Sequence, residues 1–447
     1  MRKVLIIAHQ FPPISASGSF RPAKFVKYLP HYGWQPHVIT TKRIKRLSFD
    51  PTLSEDLPEI TPIYRISSPF PKPRDRMIKW LVKHSPILKN EIKRAFDRDW
   101  QPKSITERML RLVLKIIFLP LTLIQYPPFD PVFYWSIKII SPAYKLIKSE
   151  QIEIIFTTSA PWSSMISGLI LKKITGRPWV ADLRDPWTTE ELRYNTISWR
   201  GAIDKFFERL CLRNADTVIG VTPNWIADLQ RIAGEESMSG KYELITNGYD
   251  ESDFEDYSLP LLNSKSDVMI SHVGSMFRGG LDPLLLSFQN LNGELMERIS
   301  IELIGYVHPQ DQESLAKSPA KNAFTYHSNR ITHVQSLQIM RESHILWLSL
   351  PLEYYPGKVF EYMRVGRPVL ALVPDGSVAN LIQQAQIGCV INRDNTERLS
   401  KVLEQIVFDY DGFVQQYYQP NWEFIQQFER KILTKKLSSI FERVSHQ

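Results

Sequence analysis

The chain has 447 residues, 43% of them hydrophobic and 23% charged, a composition of ordinary globular domains at a length that suits two or three of them. Its formal charge of +8 is local, because residues 72–115 hold thirteen Lys and Arg against five Asp and Glu while the rest sums to zero, which argues against a nucleic-acid-binding protein that is basic throughout. Only Cys211 and Cys389 occur, without metal-ligand or disulfide spacing, which excludes a disulfide scaffold and fits a reducing compartment.

The opening Met-Arg-Lys-Val-Leu-Ile-Ile-Ala-His9 is too short an apolar run for a signal peptide and reads as a buried strand, Lys3–Ala8. A loop containing Phe11-Pro-Pro13 and Gly18 follows, then a helix around Lys24–Leu29, a turn at Gly33-Trp34 and a strand Pro36–Thr40: a βαβ unit. The loop lacks G-x-G-x-x-G, so a nicotinamide or flavin site is not expected. From 72 to 150 the pattern becomes basic, aromatic and helical. Ser104-Ile-Thr-Glu107 is a capping-box match, and Arg108, Arg111 and Lys115 share one helical face opposite an apolar one. Neither that run nor any other supplies about 18 uncharged apolar residues, so no membrane-spanning helix is expected.

Alternation then resumes, with strand Ile152–Thr157, helix Ser163–Thr175, and strand Pro178–Ala181 leading into Asp182-Leu-Arg-Asp185-Pro-Trp187. Helix Ala202–Ala215, strand Thr217–Val221 and the strand at Tyr242 complete a first set, and residues 251–266, rich in Asp, Ser and Pro, read as a linker. A second set runs from Val268-Met-Ile-Ser-His-Val-Gly274 through strands Ser300–Ile304 and Phe324–His327 and helix Val334–Glu342. Two doubly wound domains with parallel sheets, facing across a cleft, are the expected architecture.

The densest chemistry lies in Glu353-Tyr-Tyr-Pro-Gly-Lys-Val-Phe-Glu361, between the apolar runs His344–Leu350 and Val369–Val373. Pro356 suits a helix start and Gly366 its stop. Glu353 then falls on the loop at a strand's carboxyl end, where open α/β sheets bind ligands. The helix terminus at Gly357 offers free N–H groups to an anion such as a pyrophosphate. Glu361, about one turn in, is placed to accept hydrogen bonds from a sugar diol.

This segment resembles the E-x7-E element of retaining GT-B glycosyltransferases of family 4, and the resemblance extends over nearly the whole chain. It includes Phe11-Pro-Pro13 with Gly18, Arg21 and Lys24, the Asp216-to-Thr222 step, Asn247-Gly248-Tyr-Asp250, and Val273-Gly274-Ser275-Met-Phe-Arg278-Gly279, where the family opens its C-terminal domain with a phosphate loop. The Asp182–Trp187 block is similar to that of a bacterial subgroup of cell-surface polysaccharide assembly. The resemblance implies an α/β GT-B fold with an N-terminal acceptor domain (1–255, including a basic helical insertion at 72–150), a nucleotide-sugar domain (256–420) and a terminal helix (421–447) packing back on the first.

It further implies transfer of a sugar, with retention, from a nucleotide-diphosphate donor such as a UDP- or GDP-sugar to a glycan or lipid-linked acceptor. Gly18, Gly274, Ser275, Arg278, Gly357, Lys358 and Glu361 would bind the donor, and Glu353, Arg184 and Asp185 would act at the sugar. Neither a cofactor nor a metal is expected, because the cations and the helix terminus can meet the developing diphosphate charge. Ser275 departs from the family's Arg, and Arg184 or Asp185 stands near the family's usual His. The expected setting is cytoplasmic, with the basic insertion lying on an anionic membrane surface; the alternative to that placement is an insertion packed on the sheet. Alternatives for function are a catalytically silent GT-B scaffold and a nucleotide-sugar epimerase.

Overall fold

The computed structural model describes residues 1–42, 48–69, 72–84, 104–117, 120–121, 129–188, 199–235, 240–255, 267–289, 291, 293–327, 331–350 and 355–446. Continuous apolar runs produce the strands. In a parallel sheet both faces are covered by helices, so a strand need not alternate polar and apolar residues.

The first sheet is built from β1 (Arg2–Ile7), β3 (Trp34–Thr41), β5 (Ile63–Ile66), β6 (Ile154–Ser159), β7 (Trp179–Leu183), β8 (Thr217–Gly220) and β9 (Tyr242–Leu244), and its order is β5-β3-β1-β6-β7-β8-β9. Two short strands, β2 (Ile14–Ser15) and β4 (Ser48–Phe49), pair antiparallel outside it. The second sheet holds β10 (Val268–Val273), β11 (Ile299–Ile304), β12 (Phe324–His327), β13 (Ile345–Ser349), β14 (Val369–Leu372) and β15 (Gly388–Ile391) in the order β12-β11-β10-β13-β14-β15. Every pairing within both sheets is parallel, as the helix–strand alternation requires.

Each sheet therefore has one point where the strand order reverses, between β1 and β6 in the first and between β10 and β13 in the second. Ligands of open α/β sheets lie outside the strands' carboxyl ends at such points. The loops after β1, β6, β10 and β13 are thus the places to look for a site.

The segment 72–150 divides. Its last two helices, Phe133–Lys138 and Ile140–Ser149, with Ile139 between them, carry Trp135, Ile139, Ala143 and Ile147 into the first domain's core, beside Trp162, Met165 and Trp179. The basic helices Pro73–His84 and Ile105–Ile117 keep exposed faces instead. The capping box is formed: Ser104 Oγ accepts from Glu107 N at 3.2 Å and Glu107 Oε2 accepts from Ser104 N at 3.3 Å. Ile105, Met109, Leu112, Val113, Ile116 and Ile117 form an exposed apolar stripe; the side chain of Lys115 lies outside the described residues.

The expected linker begins as a turn, Glu251–Phe254, capped by Asp250, and its remainder at 256–266 lies outside the described residues. The last helix, Arg430–Ser445, crosses back: Leu433, Leu437, Ile440, Phe441 and Val444 pack with Val4, Ile6, Phe25, Val26 and Trp34. Tyr249 N donates to Phe428 O at 3.2 Å and Arg430 N to Tyr249 O at 2.8 Å, fixing the crossing beside Gly248.

Candidate functional site

The first domain's wall of the cleft is assembled at the β1/β6 switch. After β7, Arg184 turns its guanidinium onto the carbonyls at the end of β6, donating to Ser159 O and, at 3.1 Å, to Ala160 O. Asp185 lies 3.6 Å from Arg184 and is half-exposed. Gly18 sits against this group, for a Cβ there would stand 2.5 Å from Arg184 Nη2 and 2.2 Å from Gln10 Oε1. Gly18 and Arg184, far apart in sequence, are therefore neighbours, and the glycine permits the approach. His9, at the end of β1, is buried with its ring edge-on to Trp135 at 4.8 Å. Burial pushes its pKa down to about 3, so it stands neutral.

Behind that wall, Arg21 and Asp182 form a fully buried pair. Arg21 Nε and Nη2 reach the two carboxylate oxygens at 3.0 and 2.8 Å, and the guanidinium also donates to Thr246 O and Ile245 O. Thr158 Oγ1 adds a third bond to Asp182 at 2.8 Å. Next to it, Lys24 contacts Asp250 at 2.5 Å and Asp253 at 2.9 Å, and Lys27 contacts Asp56 at 2.8 Å. The close grouping of Asp56, Asp250 and Asp253 is thereby filled by ammonium groups.

The second domain's wall is assembled at the β10/β13 switch. Gly274 follows β10 and Gly305 follows β11, and a Cβ on Gly305 would fall 2.4 Å from Gly274 O. Ser275 and Arg278 are exposed on the loop beyond. Glu353, after β13, lies outside the described residues. The helix Lys358–Val365 starts at Gly357, which is exposed and caps it without a side-chain bond. Its first residue leans on the loop: a Cβ at Gly274 would stand 3.1 Å from Lys358 Cδ and Cε. Burial lowers the Lys358 pKa to about 8, with Glu361 opposing. A half-buried ammonium with a lowered pKa is stabilised when an anion arrives.

Glu361 faces the cleft a turn later. Burial pushes its pKa up, but the hydrogen bond and charge of His333, with Lys358 and Arg430, outweigh this, and the carboxylate is held below its ordinary range. His333 Nε2 donates to Glu361 Oε1 at 3.0 Å, and the His333 ring lies 5.2 Å from that of Phe20 in the first domain. Arg430, buried at the start of the last helix, has an Nη1 without a hydrogen-bond partner among the described residues. Its pKa is lowered to about 9, by burial first and by Arg21 next. The structure thus brings together Gly18 with Arg184 and Asp185 on one wall, and Gly274 with Lys358 and Glu361 on the other.

His333, Phe20 and Arg430 escape a reading of the sequence. The one local signal is the capping box Thr332-x-x-Gln335, which fixes His333 as the first residue of its helix.

A family model described as a glycosyl transferase 4-like domain matches residues 107–248. No curated protein sequence matches the chain. Among solved structures, HepE of Anabaena in complex with UDP and glucose superposes with a TM-score of 0.63 at 14% identity, over 99% of this chain and 100% of that one. Sucrose-phosphate synthase of Thermosynechococcus elongatus gives 0.64 at 15% identity, over 99% of each chain. The lipopolysaccharide outer core galactosyltransferase WaaB gives 0.58 at 10% identity, over 99% of each. Residues 107–248 are thus similar to a glycosyl transferase 4-like domain, and the whole chain has the two-domain α/β architecture of the GT-B type.

Proposed function

We propose that the protein is a retaining glycosyltransferase that moves a sugar from a nucleotide-diphosphate sugar to a glycan or lipid-linked acceptor in cell-surface glycan synthesis. The observation that carries this reading is the packing of Lys358 on Gly274 at the sheet's switch point, with Glu361 a turn further on. The diphosphate would lie on the Gly274–Arg278 loop, between Arg278, Lys358 and the N–H groups beyond Gly357, where positive charge is already fixed. Glu361 would accept from the ribose hydroxyls, and Glu353 with Arg184 and Asp185 would meet the donor sugar. No metal is needed in this reading, since these cations face the leaving group. The UDP and UDP-glucose held by HepE favour a uridine donor.

Thermal shifts with UDP, GDP, ADP and CMP test it, on the wild type and on Glu361→Ala. A ligand at 100 times its Kd stabilises by about 2.7 kcal/mol. One nucleotide should raise the wild-type Tm and leave the variant unmoved; no shift with any of the four would sink the donor reading.

The acceptor side of the proposal places the protein on the inner face of an anionic membrane. The apolar stripe Ile105–Ile117 supports this, with Arg108 exposed and the surrounding segment strongly basic. Among the described residues no helix is long and apolar enough to cross a membrane. A Leu or Ile side chain withdrawn from water contributes about 1.5–3 kcal/mol. Leu112→Asp with Ile116→Asp should therefore reduce cosedimentation with phosphatidylglycerol vesicles at low salt more than about tenfold. Equal recovery of variant and wild type would remove the membrane from the proposal.

A further inference from the structure

Glu361 does not stand alone in the cleft. One of its oxygens is engaged by His333 at 3.0 Å, and its other oxygen has no hydrogen-bond partner among the described residues. The backbone that carries the imidazole is held as well. Thr332 N donates to Gln335 Oε1 at 2.9 Å and Gln335 N to Thr332 Oγ1 at 3.2 Å, so the backbone at His333 is fixed by a closed capping box. Ser336 Oγ donates back to His333 O at 2.7 Å. Across the cleft, the Phe20 ring supports the imidazole at 5.2 Å. The two side chains of the pair are only 13% and 20% exposed. Withdrawing a carboxylate and an imidazole from water this far returns little net stability, so the arrangement calls for another use.

We infer that His333 is a positioning residue for the nucleotide: it holds the Glu361 carboxylate in one orientation so that the remaining lone pairs meet the ribose hydroxyls of a nucleoside diphosphate, with Phe20 of the opposite domain bracing the imidazole. This inference rests on the donor reading above. A carboxylate offers about four acceptor sites, enough for the imidazole N–H and both ribose hydroxyls. Without the imidazole the side chain is free to rotate, and the ordering cost returns on each binding event. The ring is also biased toward its charged form. Burial works against the imidazolium, but the hydrogen bond and charge of Glu361, helped by Asp253, outweigh it and Lys24 opposes, so its pKa lies above the ordinary histidine value. The hydrogen bond and charge of His333, with Lys358 and Arg430, hold Glu361 in its ionised, accepting form.

The test compares UDP with 2′-deoxy-UDP by calorimetry on the full chain, or the guanine pair if the nucleotide panel selects GDP. The proteins are wild type, His333→Leu, His333→Gln and Phe20→Ala. A hydrogen bond to a charged group is worth about 1.5–3 kcal/mol, or roughly 10- to 150-fold in affinity. His333→Leu should lose about tenfold or more for UDP and much less for the deoxy ligand, so that discrimination between the two collapses. His333→Gln, which keeps an N–H near the Nε2 position, should restore the discrimination, and Phe20→Ala should weaken it in part. A helix merely loosened by the substitution would lower both affinities together, and that result overturns the inference. So does a wild type that binds the two ligands equally, or a His333→Leu variant that discriminates like wild type. A wild type that binds no nucleotide overturns the donor reading itself, and this role with it.

Discussion

Asp182→Ala is expected to unfold the first domain more readily by about 3–5 kcal/mol, the cost of removing one partner from a buried ion pair. Asp182 and Arg21 are 0% and 1% exposed, so the substitution strands the guanidinium away from water. Arg21 would keep its carbonyl partners at Ile245 and Thr246, but these do not neutralise it. In a domain of this size the loss corresponds to a fall in Tm of roughly 6–20 °C. Replacing both partners, as Arg21→Met with Asp182→Leu, should recover part of it, since no charge is left unpaired although Ile245 O, Thr246 O and Thr158 Oγ1 lose a partner. Calorimetric melting of the three proteins decides the matter. A single variant within about 1 kcal/mol of wild type would mean that the pair is not the clamp holding the Ser17–Tyr28 helix to β7.

Gly305→Ala is expected to destabilise the second domain and to disturb its loop at Gly274. The Gly305 φ of 116° is a conformation that side-chain-bearing residues rarely adopt, and the added Cβ would meet the carbonyl oxygen of Gly274, a backbone atom that cannot rotate away. Backbone strain and overpacking each cost about 1–3 kcal/mol, so a loss of roughly 3 kcal/mol is expected. The displacement falls on the loop on which Lys358 rests. Nucleotide affinity measured by calorimetry should therefore drop at least about tenfold even in protein that is folded at the assay temperature. Wild-type affinity in this variant would separate the Gly274 loop from the phosphate site.

Much of this was legible because parallel strands announce themselves as unbroken apolar runs. Lys3–Ala8 against Arg2–Ile7, and Phe324–His327 without change, show how near such a reading comes to the hydrogen-bonded ladder. The helix after Glu353 was legible from its punctuation: Pro356 stands before Lys358, and Gly366 ends the helix at φ 85°. Burial partners were not legible. The amphipathic runs 105–117 and 140–149 look alike in sequence, yet one presents its apolar face to solvent and the other packs on a sheet. Periodicity marks an apolar face without saying what covers it. His333 and Glu361 are separated by 28 positions and meet only because β13 crosses to the far side of β10. Arg430 reaches Arg21 only because the chain returns to its beginning.

That return has a consequence for how the protein is made. The strand beginning at Arg2 and the helix ending at Ser445 share one core, in which Phe441 packs on Trp34 and Phe156. At a synthesis rate of about 5–20 residues per second, the first strands leave the ribosome roughly 20–90 s before the helix that covers them. During that interval Val4, Ile6, Phe25 and Val26 present an apolar face with no lid, a surface for chaperones to guard. The first domain, though first to emerge, is the last to be finished.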